Sequence, residues 1–237
     1  MDLLSKKTKK MIKKLSLSKQ DFDHIKQAVA EQEKYTTGEI ALALTAESDS
    51  YSFWELFFAV ICGVFVFAVL LPLTPYINSL LETVFWHVLP WHVPAFCGLL
   101  SFLFIALFFA LANIPAIDRF IVPYVIRHKA VYNRALRHFI ESGVYSTNEN
   151  SGILIFISVM EREVRIIADS GIGAKIDQLR WDTIASELSK AFKENYAAEG
   201  VLYAVEQCGK ILADNFPAKK ENPNELVDGL VVLEAGE

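Results

Sequence analysis

The seven residues from Ile153 to Val159, ILIFISV, constrain this chain more than any others. They are apolar at nearly every position and rich in β-branched and aromatic side chains, the composition of a strand buried on both faces at the centre of a sheet. A polar turn, Met160 to Glu163, and a second apolar run, Val164 to Ala168, complete a β-hairpin, and a loop containing Gly171 and Gly173 follows. A central strand needs a neighbour on its other side. The candidate is Glu39 to Thr45, EIALALT, where Ile40, Leu42 and Leu44 alternate with smaller residues, more than a hundred residues upstream.

Two apolar stretches stand between these strands: Phe53 to Leu71 and Val93 to Ala112. At 1.5 Å per residue a helix of either length spans roughly 30 Å, the thickness of a bilayer's hydrocarbon core. Each is read as a transmembrane helix. Glu55, the one charged residue within them, lies near the start of the first, within reach of the interface. Trp54, Trp86 and Trp91, with Tyr51, fall where an aromatic belt would lie at the membrane interface. A mean hydropathy of +0.30 with 17 Phe agrees with a chain that is partly in lipid.

The loop between the spans, Pro72 to His92, has no Lys or Arg, whereas the flanks outside carry the Lys-rich N-terminus and Arg119, Arg127, Lys129, Arg134 and Arg137. This bias places both termini and the folded domain in the cytoplasm of an inner or plasma membrane protein. Within the loop, residues from Tyr76 to Leu89 suggest a small apolar helix resting on the far interface. His87 and His92 lack the carboxylate or Cys company of a metal site.

Near the N-terminus, Leu4, Thr8, Met11, Ile12 and Leu15 recur at helical spacing while Lys6, Lys7, Lys9, Lys10, Lys13 and Lys14 fill the other faces. This basic amphipathic helix has two readings. Lys6, Lys7, Lys10, Lys13 and Lys14 contact anionic lipid headgroups, or the segment is a solvated, frayed end. Ser18 and Asp21 form a helix N-cap signature, with a helix from about Lys19 to Tyr35 stopped by Thr36, Thr37 and Gly38. After the second span, Asp118 to Ser142 reads as one long helix ending at Gly143. Trp181 to Asn195 and Ala197 to Asn215 read as two further amphipathic helices. The polar tail closes with ELVDGLVVLE, either a short edge element or a disordered end.

An even number of spans returns the chain to the side it left, so Glu39 to Thr45 and Ile153 to Val159 can pair in one sheet. The expected fold class is α/β: a small mixed sheet flanked by helices and interrupted by a two-helix transmembrane hairpin. Closure entropy grows slowly with loop length, so such an insertion is tolerable, and an isolated helix plus strand could not bury a core. The expected parts are residues 1–17 as a basic N-terminal segment, 18–50 and 115–217 as the two pieces of the cytoplasmic domain, 51–114 as the membrane hairpin with spans 53–71 and 93–112, and 218–237 as a polar tail.

The run from Asn150 to Ile172, the upstream ALRHFIESGVYSTNE (135–149), the Trp181 helix, GVLYAVEQCGKILADNFP (200–217), NPNEL (222–226) and EKYTTGEIALAL (33–44) together resemble the TPM domain family, named for thylakoid, phosphatase and nematode receptor-associated members. The resemblance implies a small α/β sandwich. It also implies acid phosphatase activity, divalent-cation binding or protein maintenance at membranes, which vary among members.

The residues themselves close two phosphatase routes. A Cys-based enzyme needs an Arg six positions on, whereas Cys208 is followed there by Asp214, inside a helix. An aspartyl-phosphate enzyme needs paired Asp at the end of a buried strand, and Asp21 and Asp23 fall in a helix facing solvent. Asp169, Asp177 and Asp182 around the hairpin exit are the candidate ligands for Ca²⁺ or Mg²⁺. Against this, Asp169 ends a strand, Asp177 is on a loop and Asp182 lies in the first turn of a helix, where the dipole favours it. Cys62, Cys97 and Cys208 lack paired spacing and are expected as free thiols. A formal charge of −5 argues against a nucleic-acid binder. No residue is assigned as catalytic. The expected function is a non-enzymatic interaction or maintenance module whose partners are the lipid bilayer and other membrane proteins, with a divalent-metal-dependent phosphatase as the alternative.

Overall fold

The computed structural model describes residues 5–112, 114–147, 149–173, 175–219 and 224–236. Leu4, Asn148 and the Asn222–Pro223 portion of NPNEL, used above, lie outside them. The chain divides into two compact units, one of residues 1–50 with 125–237 and the other of residues 51–124.

The first unit is built on a four-stranded sheet. Strand β1 (Glu39–Thr45) pairs in parallel with β2 (Gly152–Ser158), and β3 (Glu163–Ala168) pairs antiparallel with β2. β4 (Leu230–Leu233) pairs in parallel with the other edge of β1, giving the order β3-β2-β1-β4. Every residue of β2 is buried, as a central apolar strand requires. Its alternation defines two cores. Ile40, Leu42, Leu44, Ile153, Ile155 and Ile157 face one side, where helices α1 (Lys6–Lys14), α2 (Lys19–Glu33), α9 (Gln178–Lys193) and α10 (Ala197–Asn215) pack. Ala43, Leu154 and Phe156 face the other side, against Val131, Ala135 and Phe139 of α7 (Tyr124–Glu141). The expected α/β sandwich is present.

Local signals explain the element ends. Ser18 accepts from Asp21 N–H and the Asp21 carboxylate accepts from Ser18 N–H, a reciprocal cap on α2. Gly143, at φ +78°, takes the left-handed conformation that ends α7.

Four expectations need correction. Asp118 to Ser142 is two helices, α6 (Pro115–Ile121) and α7, because Pro123 supplies no N–H and drives Val122 into extended backbone at ψ 123°. The unit boundary falls there, after residue 124, rather than at 114. Residues 218–237 are more than a polar tail, and of the two readings of ELVDGLVVLE the edge element holds, since Leu230 to Leu233 form a strand on the edge of β1. Residues 1–17 are not a separate segment either: Met11, Ile12, Leu15 and Leu17 are buried in the domain core, so the apolar face of α1 is already occupied.

The second unit is helical. α3 (Ser52–Leu70) runs through a short 3-10 turn into α4 (Thr74–Val84), and α5 (His92–Ala112) follows. α3 and α5 pack closely through small residues. A β-carbon at Gly63 would stand 2.2 Å from Ile105 Cγ1, and Ala59, Cys97 and Ser101 are buried. α4 buries Ile77 and Leu81 beside Cys97 of α5. The outward faces stay apolar and open, with Phe53, Val64 and Phe65 of α3 and Leu99 and Phe102 of α5 exposed.

Candidate functional site

The short helix α8 (Ser170–Gly173) follows β3 and lies beside the loop before β2. Asp169 N–H donates to Gly152 O (2.9 Å) and Gly171 N–H to Asn150 O (3.1 Å). Gly171 permits this approach, because a β-carbon there would stand 2.6 Å from Asn150 O. The same end of the sheet collects polar side chains from three segments. Thr37 Oγ1 donates to Glu149 Oε2 (2.6 Å), Ser151 Oγ donates to Thr37 O (3.0 Å), and Ser151 N–H donates to Thr147 Oγ1 (3.0 Å). Lys219 pairs with Glu149.

Asp169 is the residue of this region with an unused acceptor. Its Oδ1 accepts from Ser170 N–H (2.6 Å), while Oδ2 is buried with no hydrogen-bond partner among the described residues. Asp177 is the N-cap of α9, accepting from Leu179 N–H (3.1 Å). Asp182 accepts from Gln178 Nε2 (3.1 Å). α9 begins at Gln178 rather than Trp181, which moves Asp182 beyond the first turn and the reach of the helix dipole. Among the described residues no three His, Cys, Asp or Glu side chains are gathered to hold a metal ion, so the three Asp do not assemble into a cation site. The backbone of Asp169 is tied to Gly152, at the start of β2, and its carbonyl accepts from the N–H groups of Ile172 and Gly173.

The Cys208 thiol offers no nucleophile. It sits within α10 fully buried, and burial pushes its pKa up to about 12. Cys62 and Cys97 are also free thiols.

Two buried polar networks were not anticipated from the sequence. At the opposite end of the sheet, Ser48 and Ser158 share a hydrogen bond (2.8 Å), Ser158 Oγ donates to Glu161 Oε2 (2.6 Å), and Ser48 N–H donates to Glu161 Oε1 (2.8 Å). The Ser158 hydroxyl and the Ser48 backbone N–H meet the Glu161 carboxylate, so the network ties the hairpin turn to the segment after β1. The second network joins Glu33 and Glu39. Glu33 Oε1 accepts from Ile40 N–H (2.8 Å), and the Glu39 carboxylate accepts from the N–H groups of Glu225 (3.4 Å) and Leu226 (3.3 Å). Burial first, then the nearby charges of Glu39 and Asp228, raise the Glu33 pKa to about 8. The partners are about 190 positions apart in sequence, and no local motif marks them.

Trp86 and Trp91 are exposed around the α4–α5 turn and Trp54 is half-buried near the start of α3. Lys6, Lys7, Lys10, Lys13 and Lys14 are all exposed.

Residues 120–211 match the family model of the TPM domain, and the chain carries a TPM domain there. The match runs from α6 into α10, while β1 and β4 of the same sheet lie outside it. Among solved structures, the NMR structure of BA42 protein from the psychrophilic bacterium Bizionia argentinensis is similar, with a TM-score of 0.53 and 18% identity over 92% of this chain and 95% of that one. That likeness concerns the fold. No curated protein matches the chain.

Proposed function

We propose that this is a membrane-anchored TPM-domain protein whose cytoplasmic domain serves as a non-enzymatic interaction module for other membrane proteins. The carrying observation is the surface of α3 and α5. The helical run Ser52–Val84, which begins with α3, and α5 are each long and apolar enough to cross a bilayer, and only 11% and 17% of their most apolar stretches is buried. Phenylalanines on the outward faces of both helices would otherwise meet water across a patch far larger than a soluble monomer tolerates. Absence of lysine and arginine between the spans supports cytoplasmic termini. The buried Cys208 thiol, and Asp177 spent on capping α9, support the non-enzymatic reading.

Alkaline carbonate washing of membranes should leave the chain in the pellet, and protease added from the cytoplasmic side should digest the sheet domain. Release by carbonate, or digestion only from the opposite side, would sink this reading.

A second reading, a divalent-cation-dependent phosphatase, is favoured by the unpartnered buried oxygen of Asp169 and by the phosphatase in the matched family model's name. Titration of Ca²⁺ and Mg²⁺ into detergent-purified protein separates the two. Saturable binding abolished by Asp169→Asn, with phosphate release lost alongside, would replace the first reading with the second. Absence of binding is the result expected here.

A further inference from the structure

The sheet unit has a defined end from which both of its connections to the apolar helices depart. β1 leads out through residues 46–50, just past Thr45. The chain re-enters through the start of α7, where His128 Nδ1 lies 3.1 Å from Glu163 Oε1 and Arg165 Nη2 lies 2.9 Å from the same ring nitrogen. Glu163 pairs with Ser158 and Ser158 with Thr45, so exit and re-entry share one end of the sheet.

Helix α1 is fixed at that same end. Glu47 and Glu234 follow Thr45 and Leu233, which are paired across β1 and β4. Glu47 holds Lys7 (2.7 Å), and the Glu234 carboxylate accepts from Ser5 N–H (2.9 Å) and Thr8 Oγ1 (3.2 Å). Thr8, Met11 and Ile12 are buried beneath, and at 100° per residue Lys6, Lys10 and Lys13 project from the opposite side of the helix.

We propose that α1, carried at the end of the sheet unit to which the apolar helices are joined, is a docked cationic platform for anionic lipid headgroups. The inference rests on the reading that α3 and α5 span the membrane. It differs from an ordinary interfacial helix in one respect: the apolar side is already in the protein core, so binding is electrostatic, without insertion into the acyl region. Charge complementarity selects the occupant, since Lys6, Lys10, Lys13 and Lys14 form an exposed basic surface on a segment with no acidic residue between Ser5 and Leu17. Such binding should respond to the fraction of anionic lipid and collapse when salt shortens the Debye length.

The test is lysine acetylation footprinting of the full chain in nanodiscs, made either of phosphatidylcholine alone or with about one-third phosphatidylglycerol. Lys210, on α10 toward the opposite end of the sheet, is the internal control. Labelling of Lys6, Lys10 and Lys13 should slow about threefold or more in the phosphatidylglycerol discs and recover in high salt, with Lys210 unchanged. Equal labelling in the two lipids would overturn the proposal, whether all sites are open or all are shielded. Protection produced in phosphatidylcholine discs by inorganic phosphate alone would also overturn it, in favour of a free-anion site. A chain that fails to enter nanodiscs at all would instead remove the membrane-anchored reading beneath it.

Discussion

Phe156→Ala should destabilise the TPM domain by about 3–5 kcal/mol, the loss expected for truncating a fully buried aromatic side chain. Phe156 is fully buried on the side of the sheet covered by α7. The neighbours there are Ala43, Val131, Ala135, Phe139 and Leu154, of which the two alanines have no length with which to refill a cavity. Collapse of the site is therefore limited, and the cavity contribution stays near the top of its range. The measurement is hydrogen exchange of the β2 amides in detergent-solubilised protein, wild type beside variant. Phe65→Ala, at a residue 69% exposed on α3, is the comparison and should leave β2 exchange unchanged. A Phe156→Ala loss below about 1 kcal/mol would show that the α7 side is not a packed core.

Glu33→Gln should raise stability at alkaline pH and flatten its pH dependence. Glu33 has a folded-state pKa of about 8 against an ordinary value of 4.5, with burial as the leading cause. The folded state therefore holds a proton that the unfolded chain has released between these values. Stability from Glu33 is complete below about pH 4.5, falls as pH rises and is lost beyond about pH 8. At ~1.36 kcal/mol per pH unit the ceiling over that interval is about 5 kcal/mol. Glutamine keeps an oxygen for Ile40 N–H and carries no charge to repel Glu39 and Asp228. The variant should nearly match wild type at pH 5 and exceed it by roughly 3 kcal/mol at pH 9. Denaturant unfolding at both values, followed by the same β2 exchange, is the check. Parallel pH profiles for the two proteins would refute the buried, protonated state of Glu33.

Much of this architecture can be read from local pattern. The ILIFISV run specifies a central strand because a fully apolar strand has no solvent face to choose, and EIALALT is its parallel neighbour in the sheet. Ser18 and Asp21 announce α2 through a cap that needs only three residues. Pro123 was equally visible, yet apolar periodicity on either side carries a single-helix reading straight across it. β4 is ambiguous because four apolar residues after Gly229 become a strand only when β1 offers an open edge. The candidate site was legible only in part. Asp169 stood out as an acid at a strand end, but the Thr37, Glu149 and Ser151 bonds at that end of the sheet join loops whose approach depends on the sheet already being formed. The Glu33–Glu39 pair gave no sign, since two glutamates six apart look like ordinary surface residues until Ile40 N–H donates to one and Leu226 N–H to the other.

The strand order β3-β2-β1-β4 also sets a timetable for synthesis. β1 emerges from the ribosome first, yet its partners begin at Gly152 and Leu230. At about 5–20 residues per second, β1 waits roughly 5–20 s for the first partner and about 10–40 s for the second. During that interval EIALALT has two bare edges, and a nascent-chain chaperone that shields it should matter more for this protein than for one whose strands are consecutive.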